Sequence, residues 1–120
     1  MATSVLLTHL FACFWFLTAK FDDLSPDTWV ARRNLTDSPP STQYLYSMYW
    51  STQTVVTVGD GDMPAITSSE ITISLFWMVF GVGFYSFIIG NFSSIISSNI
   101  QIQASIQSKI KSLAELTKKA

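Results

Sequence analysis

The sequence predicts an all-α membrane protein in which two transmembrane helices flank a third helix that is too short to cross a bilayer. Hydrophobic residues make up 48% of the 120 residues and charged residues only 12%, about half of the usual charged share of roughly 25%. No Asp, Glu, Lys or Arg occurs from Met1 to Ala19 or from Ile71 to Ser108. Uncharged stretches of this length are typical of lipid-spanning helices, because a helix of a soluble protein normally carries a polar face.

The first helix is expected within residues 1–20. The run from Val5 to Ala19 is rich in leucine and phenylalanine, and 19 residues precede the first charge, close to the roughly 20 that a spanning helix needs. Because hardly any polar residue leads into it, we expect this outer transmembrane helix to be truncated at its N-terminus. The alternative is the hydrophobic region of a signal peptide, although the run is long and aromatic for one and no basic segment precedes it. His9 and Cys13 within it are interpreted as packing residues, since two ligands make a poor metal site.

Residues 21–42 are predicted to form an exposed extracellular loop. They contain three prolines, Pro26, Pro39 and Pro40, together with several aspartates and serines that favour turns. The triplet Asn34-Leu35-Thr36 matches the acceptor pattern for N-glycosylation, which has meaning only outside the cell. Asn34 is therefore a glycosylation candidate.

A short uncharged helix followed by a glycine-containing loop is predicted for residues 43–64. The aromatic run from Tyr44 to about Thr54 leads into Thr57-Val58-Gly59-Asp60-Gly61. Four of these five positions match Thr-Val-Gly-Tyr-Gly, the selectivity-filter signature of potassium channels, in which backbone carbonyls replace the water shell of the ion. Such a backbone needs angles that favour glycine, here at Gly59 and Gly61. We expect a re-entrant helix and filter loop, because irregular backbone at membrane depth has to be buried in protein or line a wet cavity.

The longest helix is expected within residues 65–100. The polar residues Thr67-Ser68-Ser69-Glu70 supply its N-terminal cap. The run from Ile71 to Ile100 would reach about 45 Å, well beyond the ~30 Å hydrocarbon core of a bilayer. Glycine lowers helix propensity by about 1 kcal/mol relative to alanine. We therefore interpret the glycines within this helix as close-packing or hinge positions; they are Gly81, Gly83 and Gly90.

Residues 101–120 are predicted to continue as an amphipathic helix. Apolar side chains recur at spacings of three and four, which is typical of a helix face; they are Ile102, Ile106, Ile110, Leu113 and Leu116. The tail carries four lysines and one glutamate, whereas the region from Lys20 to Glu70 carries seven acids and three bases. The bias of lysine and arginine toward the inner side of a membrane favours a cytoplasmic C-terminus.

The order of helix, loop, short helix, filter and helix resembles the pore module of the tetrameric cation-channel superfamily, and cyclic-nucleotide-gated channels and their voltage-gated relatives are most similar. The resemblance is carried by His9–Cys13, Asp27–Val30, Tyr44–Thr52, Gly90-Asn91, Ile95–Asn99 and Gln107–Ile110. It implies three further pore subunits, which form a tetramer in a lipid bilayer, expected to be the plasma membrane. Residues 101–120 would begin the C-linker to a cyclic-nucleotide-binding domain outside this chain. The chain itself is expected to bind no cofactor and no nucleic acid.

The resemblance also implies the roles of the filter residues, which are Thr57, Val58, Gly59, Asp60 and Gly61, with Asp62 at the outer mouth. The carbonyls of the first three, together with Asp60, would coordinate permeant K⁺ or Na⁺, with Ca²⁺ as a further candidate. Asp60 stands at the position of the tyrosine of potassium-selective channels, and related channels that also pass sodium and calcium carry an acid there. A ring of Asp60 carboxylates is expected to attract cations and to weaken selectivity. The alternative is that Asp60 hydrogen-bonds to nearby backbone and does not face the ion.

Two positions on the long helix are candidates for the gate. Tyr85 and Ile89 are four residues apart and share a helix face, and the resemblance places them at a hydrophobic constriction that closes the pore by dewetting. The alternative is that both side chains pack against neighbouring helices.

Three rival classes remain to be weighed against a weakly selective cation pore. An enzyme is disfavoured, because no serine or cysteine has an evident base and His9 lies in an apolar run. A structural accessory membrane subunit would leave Thr57 to Gly61 without a purpose. A potassium-selective channel of the voltage-gated type depends on how Asp60 is oriented. We expect the chain to be part of a larger protein that carries the sensor for the gating stimulus.

Overall fold

The computed structural model describes residues 2–120 as four α-helices, with no strand among them. They are α1 (Ala2–Phe21), α2 (Trp29–Arg32), α3 (Pro40–Val55) and α4 (Ser68–Lys119). The described chain divides into two compact units, of which the first ends at Tyr85 and the second comprises Ser86–Ala120. The predicted all-helical class is therefore confirmed.

Two of the helices, α1 and α4, are long enough and apolar enough to cross a membrane. Most of their side chains are exposed, including Leu6 and Phe14 on α1 and Phe76 and Val79 on α4. Large apolar side chains facing outward are unfavourable in water and are accommodated by lipid. Length and exposure together fit the predicted membrane helices.

Four buried tryptophans form the centre of the first unit. They are Trp15, Trp29, Trp50 and Trp77, none of them more than 5% exposed. The indole of Trp15 stacks on that of Trp50 with ring centroids 3.7 Å apart and an interplanar angle of 4°. This stack fixes α1 against α3, and aromatic pairs of this kind contribute about 0.5–1.5 kcal/mol beyond the burial of their area.

The prediction of an exposed loop over residues 21–42 is wrong in two places. Trp29 and Val30 are buried and lie in the helical turn α2, because their apolar side chains pack into the tryptophan cluster. The third helix begins at Pro40, about one turn before the predicted start at Tyr44. Proline is favoured in the first turn of a helix, since its ring presets φ and the missing N–H would have no partner there.

Glu70 connects three separate segments at the start of α4. Its side chain is fully buried, and its Oε1 accepts a hydrogen bond of 2.6 Å from the backbone N–H of Trp29. Its Oε2 accepts bonds from the backbone N–H of Ile66 at 3.0 Å and from Arg32 Nη2 at 3.0 Å. The Thr67 hydroxyl accepts the N–H of Glu70, and the carboxylate accepts the N–H of Thr67, which is the reciprocal arrangement of a capping box.

The second unit is a single helical stretch, the part of α4 from Ser86 onward. Every residue from Asn91 to Ala120 is exposed. The apolar stripe predicted from the sequence is present on this helix, and no described residue of the unit covers it.

Because Glu70 is buried and ion-paired, Glu70→Gln is expected to destabilise the first unit by about 3 kcal/mol. The amide of glutamine would leave Arg32 without its counter-charge. It would also place an NH₂ group, itself a donor, against the N–H donors that Glu70 accepts. Removing one partner of a buried ion pair costs about 3–5 kcal/mol. Thermal denaturation of the purified protein in detergent micelles measures the change. Asp37→Asn, at an exposed position in the preceding loop, is the control. Equal stability of the two variants would contradict this role of Glu70.

Candidate functional site

The segment that the sequence singled out lies between α3 and α4, within residues 56–66, which form the 56–66 loop. All residues from Val56 to Asp62 are exposed in the chain. Left-handed backbone occurs at alternate residues, with φ of 59° at Thr57, 59° at Gly59 and 77° at Gly61. The two glycines adopt the angles that were predicted for them. Thr57 was not expected to do so, and a β-branched residue in this region stores about 1–3 kcal/mol of strain.

Gln53, near the end of α3, is the residue that holds this loop. Its backbone carbonyl accepts hydrogen bonds from the N–H groups of Val58 at 2.9 Å and Gly59 at 3.3 Å. Its side-chain Oε1 accepts the N–H of Asp60 at 3.3 Å, and its Nε2 donates to Asp62 Oδ1 at 3.4 Å. One buried glutamine therefore contacts four of the five residues from Val58 to Asp62, and it ties the loop to the helix that precedes it.

The carboxylate of Asp60 contacts a side chain of α3. The Tyr49 hydroxyl donates a hydrogen bond to Asp60 Oδ2 at 3.1 Å. Oδ1 accepts no hydrogen bond from the described residues, and Asp60 as a whole is exposed. The sequence left open the alternative that the Asp60 side chain hydrogen-bonds to nearby backbone. In the structure its partner is instead the phenol hydroxyl of Tyr49, which lies one helical turn before Gln53.

Asp62 is paired with Arg33, which follows α2. Arg33 Nη2 donates to both the carbonyl oxygen and Oδ2 of Asp62 at 2.8 Å. Burial alone would raise the pKa of Asp62, but the hydrogen bonds from Arg33 and Gln53 outweigh it, and the pKa lies below its usual value of 3.8. Asp62 is therefore ionised at neutral pH and is anchored to Arg33, directly after α2.

Arg32, the residue before Arg33, holds the C-terminal end of the 56–66 loop. Arg32 Nη2 donates to the carbonyl of Pro64 at 2.8 Å, and Arg32 Nε donates to the carbonyl of Asp27 at 2.9 Å. Arg33 and Arg32 therefore hold the loop at Asp62 and at Pro64.

A cavity of about 600 Å³ lies beside the loop. Its lining comes from one face of α3 and from the loop itself; the residues are Leu45, Met48, Tyr49, Thr52, Gln53, Val56, Val58 and Asp60. The lining is mostly apolar, so one wall of the candidate site is an unfilled hydrophobic surface.

The gate and hinge candidates on α4 lie in different surroundings. Tyr85, in the first unit, is half-buried, whereas Ile89, in the second, is 47% exposed. Gly81 is buried, and a Cβ there would lie 3.6 Å from the Cα of Val55 at the end of α3. A Cβ at Gly81 would therefore lie at ordinary van der Waals distance from α3, and the close-packing or hinge role of Gly81 stays a prediction.

The other two glycines, Gly83 and Gly90, have open space where a Cβ would point. Asn34, the glycosylation candidate, is exposed in the turn after α2. The roles predicted for these residues stay predictions.

Sequence reasoning missed Gln53, Tyr49 and the two arginines as parts of the site. Gln53 offered no distinctive signal, because α3 carries a second amide at Gln43. Arg33 and Asp62 are 29 residues apart, and no local pattern connects them.

Comparisons with known proteins bear on what this site does. The sequence profile of the ion transport protein family matches residues 1–103. The chain is 30% identical over 121 aligned positions to potassium channel KAT3 of Arabidopsis thaliana, covering 99% of the chain and 18% of that protein. It is 33% identical over 109 positions to cyclic nucleotide-gated channel alpha-2 of Bos taurus, covering 88% of the chain and 16% of that protein. The chain thus spans less than a fifth of the length of these relatives.

Removing the Arg33–Asp62 pair is expected to change how stability depends on pH. Because the pKa of Asp62 is lowered in the folded protein, the pair stabilises the fold above about pH 4 and loses its effect as the pH falls through the folded pKa. Both side chains are about one-third exposed, so the contribution is at most about 1 kcal/mol. We expect Arg33→Gln to be less stable than the unaltered protein at pH 7 and this deficit to shrink toward pH 3; the part due to the hydrogen bond from Arg33 to the Asp62 carbonyl oxygen remains at every pH.

Thermal unfolding across that pH range measures the difference, and Arg33→Lys, which keeps the charge, is the control. A difference between the two proteins that is the same at every pH would contradict the pairing.

Proposed function

This chain belongs to the ion transport protein family, and on that premise we propose that it forms one quarter of a weakly selective cation pore. The family makes the chain part of a membrane transport protein and not an enzyme. The proposal goes further, since it assigns conduction to the 56–66 loop and assembles four copies around it. It also places the protein in the plasma membrane with a cytoplasmic C-terminus.

The observation that carries the proposal is the alternating backbone of the loop. Thr57, Gly59 and Gly61 have left-handed φ angles, and Val58 and Asp60 between them do not. An alternation of this kind can turn successive peptide groups toward one side. Carbonyls sharing one side are what a filter needs to replace the hydration shell of a cation. The described residues contain no group of three or more His, Cys, Asp or Glu residues able to hold a metal ion. A cation site at this loop therefore needs backbone oxygens and the same residues of further copies.

The apolar cavity beside the loop supports assembly. A hydrophobic wall next to exposed backbone is unfavourable in isolation, and α3 exposes Leu45 at 66% and Tyr49 at 41% on that side. A neighbouring subunit would cover both. Rotational symmetry then presents the same loop four times around one axis.

Weak selectivity is proposed from the position of Asp60. It is exposed, its Oδ1 is free of described partners, and its Oδ2 is shared with Tyr49. Four carboxylates at one level would raise the local concentration of cations and could bind a divalent ion through oxygen ligands. K⁺ and Na⁺ are the proposed permeant ions, with Ca²⁺ as a blocking or permeating ion. Tyr85 and Ile89 remain the proposed gate.

A potassium-selective pore is the second candidate function. Plant relatives named as potassium channels, among them KAT3 and AKT1 of Arabidopsis thaliana, cover at least 80% of the chain. The loop also keeps glycine at both Gly59 and Gly61 and is held along its length by Gln53. Such restraint favours a filter that preserves its carbonyl positions. A structural accessory subunit is a third and weaker candidate.

The reversal potential decides between the first two candidates. With K⁺ on one side and Na⁺ on the other of a planar bilayer containing the reconstituted protein, we expect a value near zero. A value near the potassium equilibrium potential would overturn weak selectivity in favour of the second candidate. In the same bilayers, Asp60→Asn is expected to weaken Ca²⁺ block about tenfold or more, equivalent to about 1.4 kcal/mol, whereas Asp37→Asn leaves it unchanged.

The hydrogen bond from Tyr49 provides a second test, because it competes with a cation for Asp60 Oδ2. Tyr49→Phe is expected to strengthen Ca²⁺ block several-fold, because the charge-assisted hydrogen bond from its hydroxyl to Asp60 Oδ2 is lost. Tyr44→Phe is the matched control on the same helix, where the hydroxyl contacts His9 Nδ1 at 2.6 Å. An equal effect of both substitutions, or none from either, would show that Tyr49 does not set the availability of Asp60.

A further inference from the structure

The guanidinium of Arg33 lies beside the 56–66 loop in a site with three kinds of partner. Its Nη2 donates hydrogen bonds of 2.8 Å to the carbonyl oxygen and to Oδ2 of Asp62. Its Cζ lies 5.7 Å from the ring centroid of Tyr46 on α3, within the range of a cation–π contact. A carboxylate, a carbonyl and an aromatic face together suit a cation, and the cation that they hold belongs to the chain itself.

This site is accessible from the surrounding solution. A cavity of about 400 Å³ adjoins it, lined by Leu45, Tyr46, Tyr49 and Asp62. The side chains of Arg33 and Asp62 are 33% and 35% exposed. Ion pairs at such exposure are weak, because water and salt screen them. A cation from solution can therefore compete with Arg33 for Asp62.

Asp62 belongs to the same charged region as Asp60. Gln53 contacts both residues, since its Nε2 donates to Asp62 Oδ1 at 3.4 Å and its Oε1 accepts the N–H of Asp60 at 3.3 Å. The hydrogen bond to Asp60, desolvation and the charge of Asp62 all raise the pKa of the Tyr49 hydroxyl above its usual value of 10.0. Both carboxylates therefore act on one phenol, and a change of charge at Asp62 reaches Asp60.

Arg33 sets the net charge of this region. Of the salt bridges within residues 2–120, only the one from Arg33 reaches an acid of the loop, because Arg32 is paired with Glu70. The two acids, Asp60 and Asp62, and the one base give a formal charge of −1 per chain, which becomes −2 when the base is removed. Negative charge concentrates cations nearby, so Arg33 opposes their accumulation.

We propose that Arg33 is an internal counter-cation that competes with ions from solution at Asp62 and so lowers the affinity of the 56–66 loop for cations. Divalent ions are affected most, because their attraction grows with their charge. The inference rests on the proposed function, in which cations pass this loop. It deepens that function by making a base outside the filter sequence a determinant of block and conductance.

Titration of the purified protein with Tb³⁺ in detergent micelles tests the competition directly. Tb³⁺ is a luminescent substitute for Ca²⁺ and reports binding without any current. Because affinity for such ions rises with the number of free carboxylates, we expect Arg33→Gln to bind Tb³⁺ about tenfold more tightly. Lys20→Gln, which removes the same charge from the last turn of α1, is the matched control and is expected to leave the affinity unchanged.

Two further variants locate the effect at Asp62. Adding Asp62→Asn to Arg33→Gln is expected to abolish the gain in affinity, since the freed acid is gone. Arg33→Lys keeps the charge but not the planar fork of donors, so its gain is expected to be about twofold. Thermal unfolding in the same micelles shows which variants are folded, and Arg33→Lys supplies the comparison if Arg33→Gln is not.

Unitary conductance in planar bilayers is the second readout. The Debye length is about 10 Å at about 0.1 M salt and about 3 Å at about 1 M, so a charge beside the pore matters at the lower concentration. We expect Arg33→Gln to raise the K⁺ conductance by about half or more at the lower salt concentration. At the higher concentration its conductance is expected to equal that of the unaltered protein.

The two readouts separate the two levels of inference. Equal Tb³⁺ affinity of the Arg33 variants and the unaltered protein, or an equal gain from Lys20→Gln, overturns the role of Arg33 whether or not the protein conducts. If the affinity rises as expected but no current flows through any of the proteins, the proposed pore fails and the competition at Asp62 stands.

Discussion

The first unit depends on one buried carboxylate. Glu70 has no exposed surface, and it accepts hydrogen bonds from α2, from Ile66 at the end of the 56–66 loop and from Thr67, which immediately precedes α4. A buried charge is tolerated only when paired and hydrogen-bonded, so Arg32 and these N–H groups have to converge on it. The helical turn α2, the end of the 56–66 loop and the start of α4 are therefore held together, and a movement of any of them would expose Glu70 or remove one of its partners.

Within that frame, the candidate filter is held mainly from the α3 side. Gln53 contacts the backbone of the loop and Asp62, while Tyr49 contacts Asp60. Asp60 is restrained by one hydrogen bond from the Tyr49 hydroxyl to its carboxylate and by one from its backbone N–H to Gln53 Oε1. A cation arriving at the loop would compete with the Tyr49 hydroxyl for Asp60 Oδ2. The proposed weak selectivity and the proposed restraint by Tyr49 thus depend on the same atom, Asp60 Oδ2.

Features set by local composition could be predicted from the sequence, and features set by distant contacts could not. Uncharged runs predicted α1 and α4, and the glycine spacing predicted left-handed backbone at Gly59 and Gly61, because both follow from the residues themselves. The turn α2 was missed, since its burial depends on tryptophans from other helices. The Arg32–Glu70 pair joins residues 38 positions apart, and no periodicity reports it. Thr57 was predicted as a filter residue but not as a strained one, because its left-handed φ opposes its own preference.

The placement of the tryptophans has a spectroscopic consequence. All four lie buried in the first unit, and the stretch from Ser86 to Ala120 contains neither tryptophan nor tyrosine. Intrinsic fluorescence therefore reports on the helices around the 56–66 loop and is silent about the end of α4. A single tryptophan introduced into that tail would give a second, separable emission signal, so melting of the two units could be followed independently in one sample without an attached dye.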